Sequence, residues 1–246
     1  MIAPTFKAFS DLVDWPARAG ALPDETHGTT VLSLKFDGGV LTLADRRATA
    51  GNLIMYDQAE KIFALDDTTV VAISGAFARS VEICRFLKHS FKYYRRSVLH
   101  ELSVEGKLAD ISRALANNAP MAAQGIGMFL PIVAVYDQKK DDFGVYFFDG
   151  AGARFQNGSY ACAGSGSERI RGVFEYIARN KGHFELRPME EVLLDGLEML
   201  DIAAELDSAT GGFAKTLPVT RILDRNGNRE VPHELLRESV DRILLR

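Results

Sequence analysis

The chain has 246 residues, of which 47% are hydrophobic and 25% charged, and a formal net charge of -4. That balance excludes a disordered or low-complexity chain and allows one sizeable core. The acidic sum, with no basic tail, argues against a nucleic-acid partner, and no stretch approaches the ~20 apolar residues of a membrane span. Cys84 and Cys162 have no CxxC or Cys/His spacing around them and the five histidines are scattered, so neither a disulfide nor a metal site is expected. The first twenty residues lack the apolar run of a signal peptide, which predicts a cytoplasmic protein.

Residues 1–28 read as a leader, too few to bury a core and ending in the turn-rich PDETHG, or else as a surface arm; residues 29–246 read as one domain. From Thr30, apolar Leu32, Leu34 and Phe36 alternate with Val31, Ser33 and Lys35. Asp37-Gly38-Gly39 then supplies a turn, and VLTLAD returns as a second strand. A hairpin of that length brings Asp45 back towards Thr29. After the turn signal ATAGN, KIFAL and TVVAISG predict two more strands.

A long helix is expected from AFARSVEICRFLKHSFKYYRRSVLHEL, with Cys84, Leu87, Phe91, Tyr94 and Val98 on one face. Arg85, Lys88, Lys92, Arg95 and Arg96 fall elsewhere, as a solvated face or as an anion or subunit contact. A second helix, marked by Leu108, Ile111 and Leu115, is expected to stop at NNAP because of Pro120. PIVAVYD, GVYFFDG and SYACAG then read as three consecutive antiparallel strands, buried on both faces. Two helices follow, one built on Ile170, Phe174 and Ile177, the other on Leu193, Leu197, Leu200 and Ala204. LPVTRIL returns to strand, with a turn at Asn226-Gly227. Two sheets, each covered by one helix pair, make an α+β fold: a four-layer α-β-β-α sandwich.

The chemistry concentrates between His27 and Lys61. If the Gly28–Thr29 bond were cut, Thr29 would carry a hydroxyl beside a free amine that titrates near ~8, a nucleophile with its own base. By spacing alone, Asp45 and Lys61 read equally well as surface charges. Ser165 or Ser167 reads as a helix N-cap and Asp207 as a helix end.

HGTT, ADRRATAGN, the EK of DQAEK, the glycine of AISG, GSGS and DSATGG, in that order, resemble the β-type subunits of the 20S proteasome, a branch of the N-terminal nucleophile hydrolases. The resemblance spans about Gly28 to Gly212. It implies a self-activating threonine endopeptidase in which Thr29 is the nucleophile exposed by cleavage after Gly28, and Asp45 holds Lys61 beside the hydroxyl. Ser165, Asp207 and Thr210 would orient the amine, and the Gly75 N–H would bind the oxyanion. Thr49, Gly75 and Phe77 would pair with substrate backbone, and Ala48, Ala59, Phe63, Ile73 and Phe77 would line the side-chain pocket. Phe77 departs from the small residue usual there, so the pocket is narrowed or blocked. The resemblance further implies unfolded polypeptides as substrates, seven-membered homo-oligomeric rings stacked as a tetradecamer, and a possible α-type subunit, ATPase or activator, with no cofactor and no metal. A competing reading is a ring-forming cage whose site is unprocessed or closed by Phe77.

Overall fold

The computed structural model describes residues 28–51, 53–213 and 215–245. The expected leader, up to residue 27, lies outside them. β1 (Thr30–Phe36) and β2 (Gly39–Ala44) form the hairpin, which turns at Asp37 and Gly38. Its alternation splits the side chains between two cores. Leu32, Leu34, Leu41 and Leu43 face a helical layer, while Val31, Val40 and Ala44 face the other sheet, where the Ser33 and Thr42 hydroxyls bond each other at 3.0 Å.

β3 (Ala48–Ala50) and β4 (Leu53–Tyr56) form a separate ribbon around the ATAGN turn. β5 (Ile62–Asp66), β6 (Thr69–Ala72), β7 (Ile132–Asp137), β8 (Asp142–Phe148) and β9 (Arg154–Asn157) follow each other as an antiparallel sheet. β10 (Tyr160–Gly164), β1, β2, β11 (Val219–Asp224) and β12 (Gly227–Glu230) form the second sheet, in that order. The two sheets pack face to face through an apolar core.

α1 (Phe77–Val98) and α2 (Val104–Ala123) cover the β5 to β9 sheet through Ile83, Cys84, Leu87, Leu108, Ile111 and Leu115. α3 (Ser167–Lys181), α4 (Met189–Leu206) and α5 (His233–Leu244) cover the other through Ile170, Phe174, Leu193, Leu197, Leu236 and Val240. This is the four-layer sandwich. Among the described residues, no helix is long and apolar enough to cross a membrane.

Four expectations about the elements are corrected. SYACAG is not a third strand beside GVYFFDG: β9 intervenes, and β10 crosses to the other sheet, where Thr30 pairs with Gly164 and Leu34 with Tyr160. The Lys35 N–H, donating to Ser159 O at 2.8 Å, extends that pairing into the turn and explains the crossing, since β1 needs a partner on its free side. α2 runs through Pro120 to Ala123, because a proline in the last turn sacrifices only one ladder bond. The α1 stripe is buried only as far as Phe91, with Tyr94 and Val98 exposed beyond the edge of the sheet. In α4 it is Ala203, not Ala204, that is buried, and α5 adds a third helix to that layer.

Candidate active site

Thr29 precedes β1, and β1 is flanked by β2 and β10, so the ends of three strands meet at this residue. Asp45 follows the last residue of β2. Its carboxylate is buried and accepts four bonds: Oδ1 from Thr30 N–H at 2.7 Å and Lys61 Nζ at 2.8 Å, Oδ2 from Arg47 N–H at 2.8 Å and Gly211 N–H at 2.9 Å. With every acceptor position used, the carboxylate is fixed in one orientation. Asp45 thereby ties the start of β1 to the start of β5 and to the loop after α4.

Lys61 stands just before β5, is 0% exposed, and spends all three of its donors. Besides Asp45, Nζ donates to Gly28 O at 3.1 Å and to Arg47 O at 2.5 Å. Burial disfavours the ammonium and lowers its pKa, with the Asp45 charge opposing that shift. The Thr29 hydroxyl donates to the same carbonyl, Gly28 O, at 2.5 Å. The structure therefore gathers the threonine hydroxyl, the lysine ammonium and the Gly28–Thr29 peptide at one carbonyl.

A second network lies under the first. Ser165 Oγ is 2.6 Å from Asp207 Oδ2 and 3.3 Å from Thr29 O, and Thr210 donates to Asp207 Oδ2 at 2.6 Å. The Thr210 hydroxyl in turn meets the buried Thr30 hydroxyl at 2.6 Å. Since Thr210 donates to Asp207, Thr30 donates to Thr210, and a proton-ordered chain runs from β1 to the carboxylate. As a helix end, Asp207 is indeed the C-cap of α4, its N–H donating to Ala203 O at 2.9 Å. Ser165 and Ser167 do not cap α3. The N-cap residue is Gly166, and Ser167 donates instead to Gly164 O at 2.7 Å.

Two backbone positions make the site possible. Gly164 has φ +96°, and a Cβ there would collide with Thr29 O; Gly75 has φ +98°, and a Cβ there would collide with Met128 O. Gly75 is bridged to Phe129, while the Ser74 hydroxyl donates to Leu130 O at 2.7 Å, so the turn after β6 is held against residues 128–130.

Of the expected pocket residues, Ala48, Thr49, Ala59 and Ile73 are buried, and Phe63 and Phe77 pack partly buried against the core that contains Ile73. Phe77 is the first residue of α1. Two residues of the site went unread in the sequence. Thr30 looked like an ordinary strand residue, although its place in the doublet Thr29-Thr30 was the available signal. Arg47, in ADRRATAGN, gives its carbonyl to Lys61 and donates from its guanidinium to Asp57 Oδ1 at 3.0 Å, Ser208 O at 3.2 Å and Thr210 O at 3.3 Å.

A sequence model of the family described as "Proteasome subunit" matches residues 25–214. The chain is similar to proteins named proteasome subunit beta from several organisms. It is 32% identical to that of Acidothermus cellulolyticus over 235 residues, spanning 92% of this chain and 78% of the relative. It is 33% identical to that of Acidimicrobium ferrooxidans over 215 residues, spanning 86% and 77%. For Streptomyces griseus the identity is 32% over 234 residues, spanning 94% and 81%.

Proposed function

Because the chain belongs to the proteasome subunit family, we propose that it is a self-activating threonine endopeptidase, with Thr29 as nucleophile, working inside a ring-shaped chamber. The observation that carries this reading is the convergence on Gly28 O, which receives the Thr29 hydroxyl at 2.5 Å and the Lys61 ammonium at 3.1 Å. A hydroxyl this close to the preceding carbonyl, with a cation drawing electron density from its oxygen, is arranged for addition to that carbonyl.

In the activating step the Thr29 oxygen bonds to the Gly28 carbonyl carbon, the bond from that carbon to the Thr29 nitrogen breaks, and the nitrogen takes the hydroxyl proton. The product is an ester. Water then splits it, releasing the Gly28 carboxylate and leaving Thr29 with its hydroxyl and a free amine. That amine, held by Ser165 and the Asp207–Thr210–Thr30 chain, serves as the base for cleaving other polypeptides. Each substrate carbonyl takes the place vacated by Gly28. Lys61 favours loss of the hydroxyl proton, Asp45 holds Lys61, and the Gly75 N–H donates to the oxyanion. Thr49 and the Gly75–Phe77 turn pair with substrate backbone, with the side-chain pocket formed by Ala48, Ala59, Phe63, Ile73 and Phe77.

The family implies a multi-subunit assembly acting on polypeptides. We take it to be seven-membered rings stacked as a tetradecamer in the cytoplasm, with an α-type subunit or an ATPase controlling entry. An unspecific backbone-reading site calls for such enclosure.

The test is the intact mass of the assembled protein beside a Thr29→Ala control. Loss of residues 1–28 from the native protein alone supports self-cleavage and a free threonine amine. Retention of the leader in both removes the proposed base and leaves the ring-forming cage as the better account.

A further inference from the structure

A cleft of about 670 Å³ opens beside Thr29, bounded by Gly75 and Met128 on one wall and by Gly164 and Ser165 on the other. None of Ala48, Thr49, Ala59, Phe63, Ile73 or Phe77 lines it. Its lining includes apolar side chains: Leu130 and Phe147 are partly buried and Met128 is 43% exposed, while Glu168 and Arg171 of α3 add charge. The side of the cleft formed by Cys162, Ala163 and Gly164 belongs to β10, the edge strand of its sheet. A strand in that position directs alternate N–H and C=O groups away from its single neighbour, and an extended chain can take them up. Phe147, Cys162 and Arg171 also line a second cleft, of about 400 Å³, that reaches Tyr160. Along β10 from Gly164 to Tyr160 there is length for about four extended residues at roughly 3.3 Å each.

Cleavage of a peptide divides it at Thr29 into an acyl part, which remains on the hydroxyl, and an amine part, which leaves. Thr49, Phe77 and the pocket beside them serve the acyl part under the peptidase reading, on which this argument rests. The cleft along β10 also touches Gly75 and Ser165, so it is continuous with the reacting position, yet it shares no other residue with the acyl side. We infer that this cleft binds the segment that follows the scissile bond, seating a bulky apolar side chain from one of its first two residues on Met128, Leu130 and Phe147. The occupant is thus the C-terminal side of an extended polypeptide substrate, read partly by side chain and partly by the β10 edge. Specificity then comes from both sides of Thr29.

The experiment uses the full chain in the assembly it forms, and peptides with one common sequence before the scissile bond. One peptide carries a fluorogenic amine directly after that bond. The others run on for four residues, with Leu, Ser or Lys at the first two positions. Each kcat/KM is divided by that of the short substrate, which cancels losses common to all. The native protein should favour Leu over Ser on the order of tenfold, the discrimination open to an apolar pocket. Met128→Asp should abolish that preference and favour Lys, a gain that misfolding cannot produce. Mass-spectrometric mapping of cuts in an unfolded protein by the native chain should show apolar enrichment at the same positions. Equal ratios for Leu, Ser and Lys, a Leu preference that Met128→Asp leaves intact, or cuts with no apolar enrichment would each overturn the subsite while the short substrate is still turned over. If the native assembly turns over none of the peptides, the peptidase reading fails and the subsite fails with it.

Discussion

Two lysines are buried in this molecule, and they do different work. Lys61 is 0% exposed and Lys107 2%, and each meets an aspartate, Asp45 at 2.8 Å and Asp66 at 2.6 Å. Lys107 projects from α2 onto the β5–β6 turn, donates to the Thr68 hydroxyl at 2.8 Å and lies 6.0 Å from the Phe91 ring centroid. All its partners are side chains of the helical layer and the turn beneath it, so it clamps α2 to the sheet. Lys61 gives two of its three donors to backbone carbonyls, one of them Gly28 O at the bond proposed to break. Asp45 also differs from Asp66, being held by three backbone N–H groups drawn from β1, the β2–β3 connection and the loop after α4. A buried ion pair is therefore a poor guide to function by itself. What distinguishes the two is whether the cation has a further partner that chemistry can change.

The largest expected effect breaks the comparison directly. Lys61→Met should abolish leader removal and lower peptide cleavage by on the order of 10³-fold, as expected when a preorganised charge is lost from a reacting carbonyl. Lys107→Met should leave cleavage per folded molecule near native while lowering stability by about 3 kcal/mol, the low end for a broken buried pair because Asp66 keeps some access to solvent. Intact mass, peptide turnover and denaturant midpoints separate the two outcomes. If Lys107→Met lost activity without losing stability, the assignment of a purely structural role to it would be wrong.

A middle-sized effect tests the network under the site. Thr30→Val keeps the shape of β1 but removes the donor to Thr210, which should cost about 1 kcal/mol of stability and lower kcat about tenfold with little change in KM. Thr30→Ser should restore both. A change confined to KM would mean that Thr30 serves substrate binding rather than orientation of the amine.

These residues also show how far the sequence could be read. Asp45 was placed by physics alone, since a hairpin with its turn at Asp37-Gly38 returns to its own start. Lys61 was not, because nothing in a charge before a strand says that it turns inward; only the resemblance of its motif pointed there. Thr30 and Arg47 were missed for a related reason. Their roles depend on the crossing of β10 and the return of residues 207–211, contacts more than a hundred residues away that no local pattern encodes. Helix α5 was legible in the spacing of Leu236, Val240 and Ile243, although the expected element order ended in strands. β4 was not, because Leu53, Ile54, Met55 and Tyr56 are all exposed and follow neither a period of two nor one of 3.6.

The smallest effect distinguishes the buried groups by pH. Burial pushes the Cys84 thiol, in the same core as Leu108 of α2, from the ordinary 9.0 up to about 12. Between those values the unfolded chain releases a proton that the folded chain keeps, so stability falls as pH rises, with a slope approaching about 1.4 kcal/mol per pH unit. Lys61 has the opposite sign. Its pKa is lowered, so just below 10.5 the unfolded lysine holds a proton that the folded one gives up, and stability rises with pH in that window. Burial also raises the hydroxyl of Tyr160, which therefore acts in the same sense as the thiol. In a Cys84→Ala background the alkaline decline should be shallower from pH 9 upward. Adding Lys61→Met should steepen it again by removing the compensating rise. Thermal unfolding of the two variants between pH 8 and about 10.5 measures this difference, and parallel curves would mean that Lys61 keeps its proton throughout, with its ammonium fully sustained by Asp45.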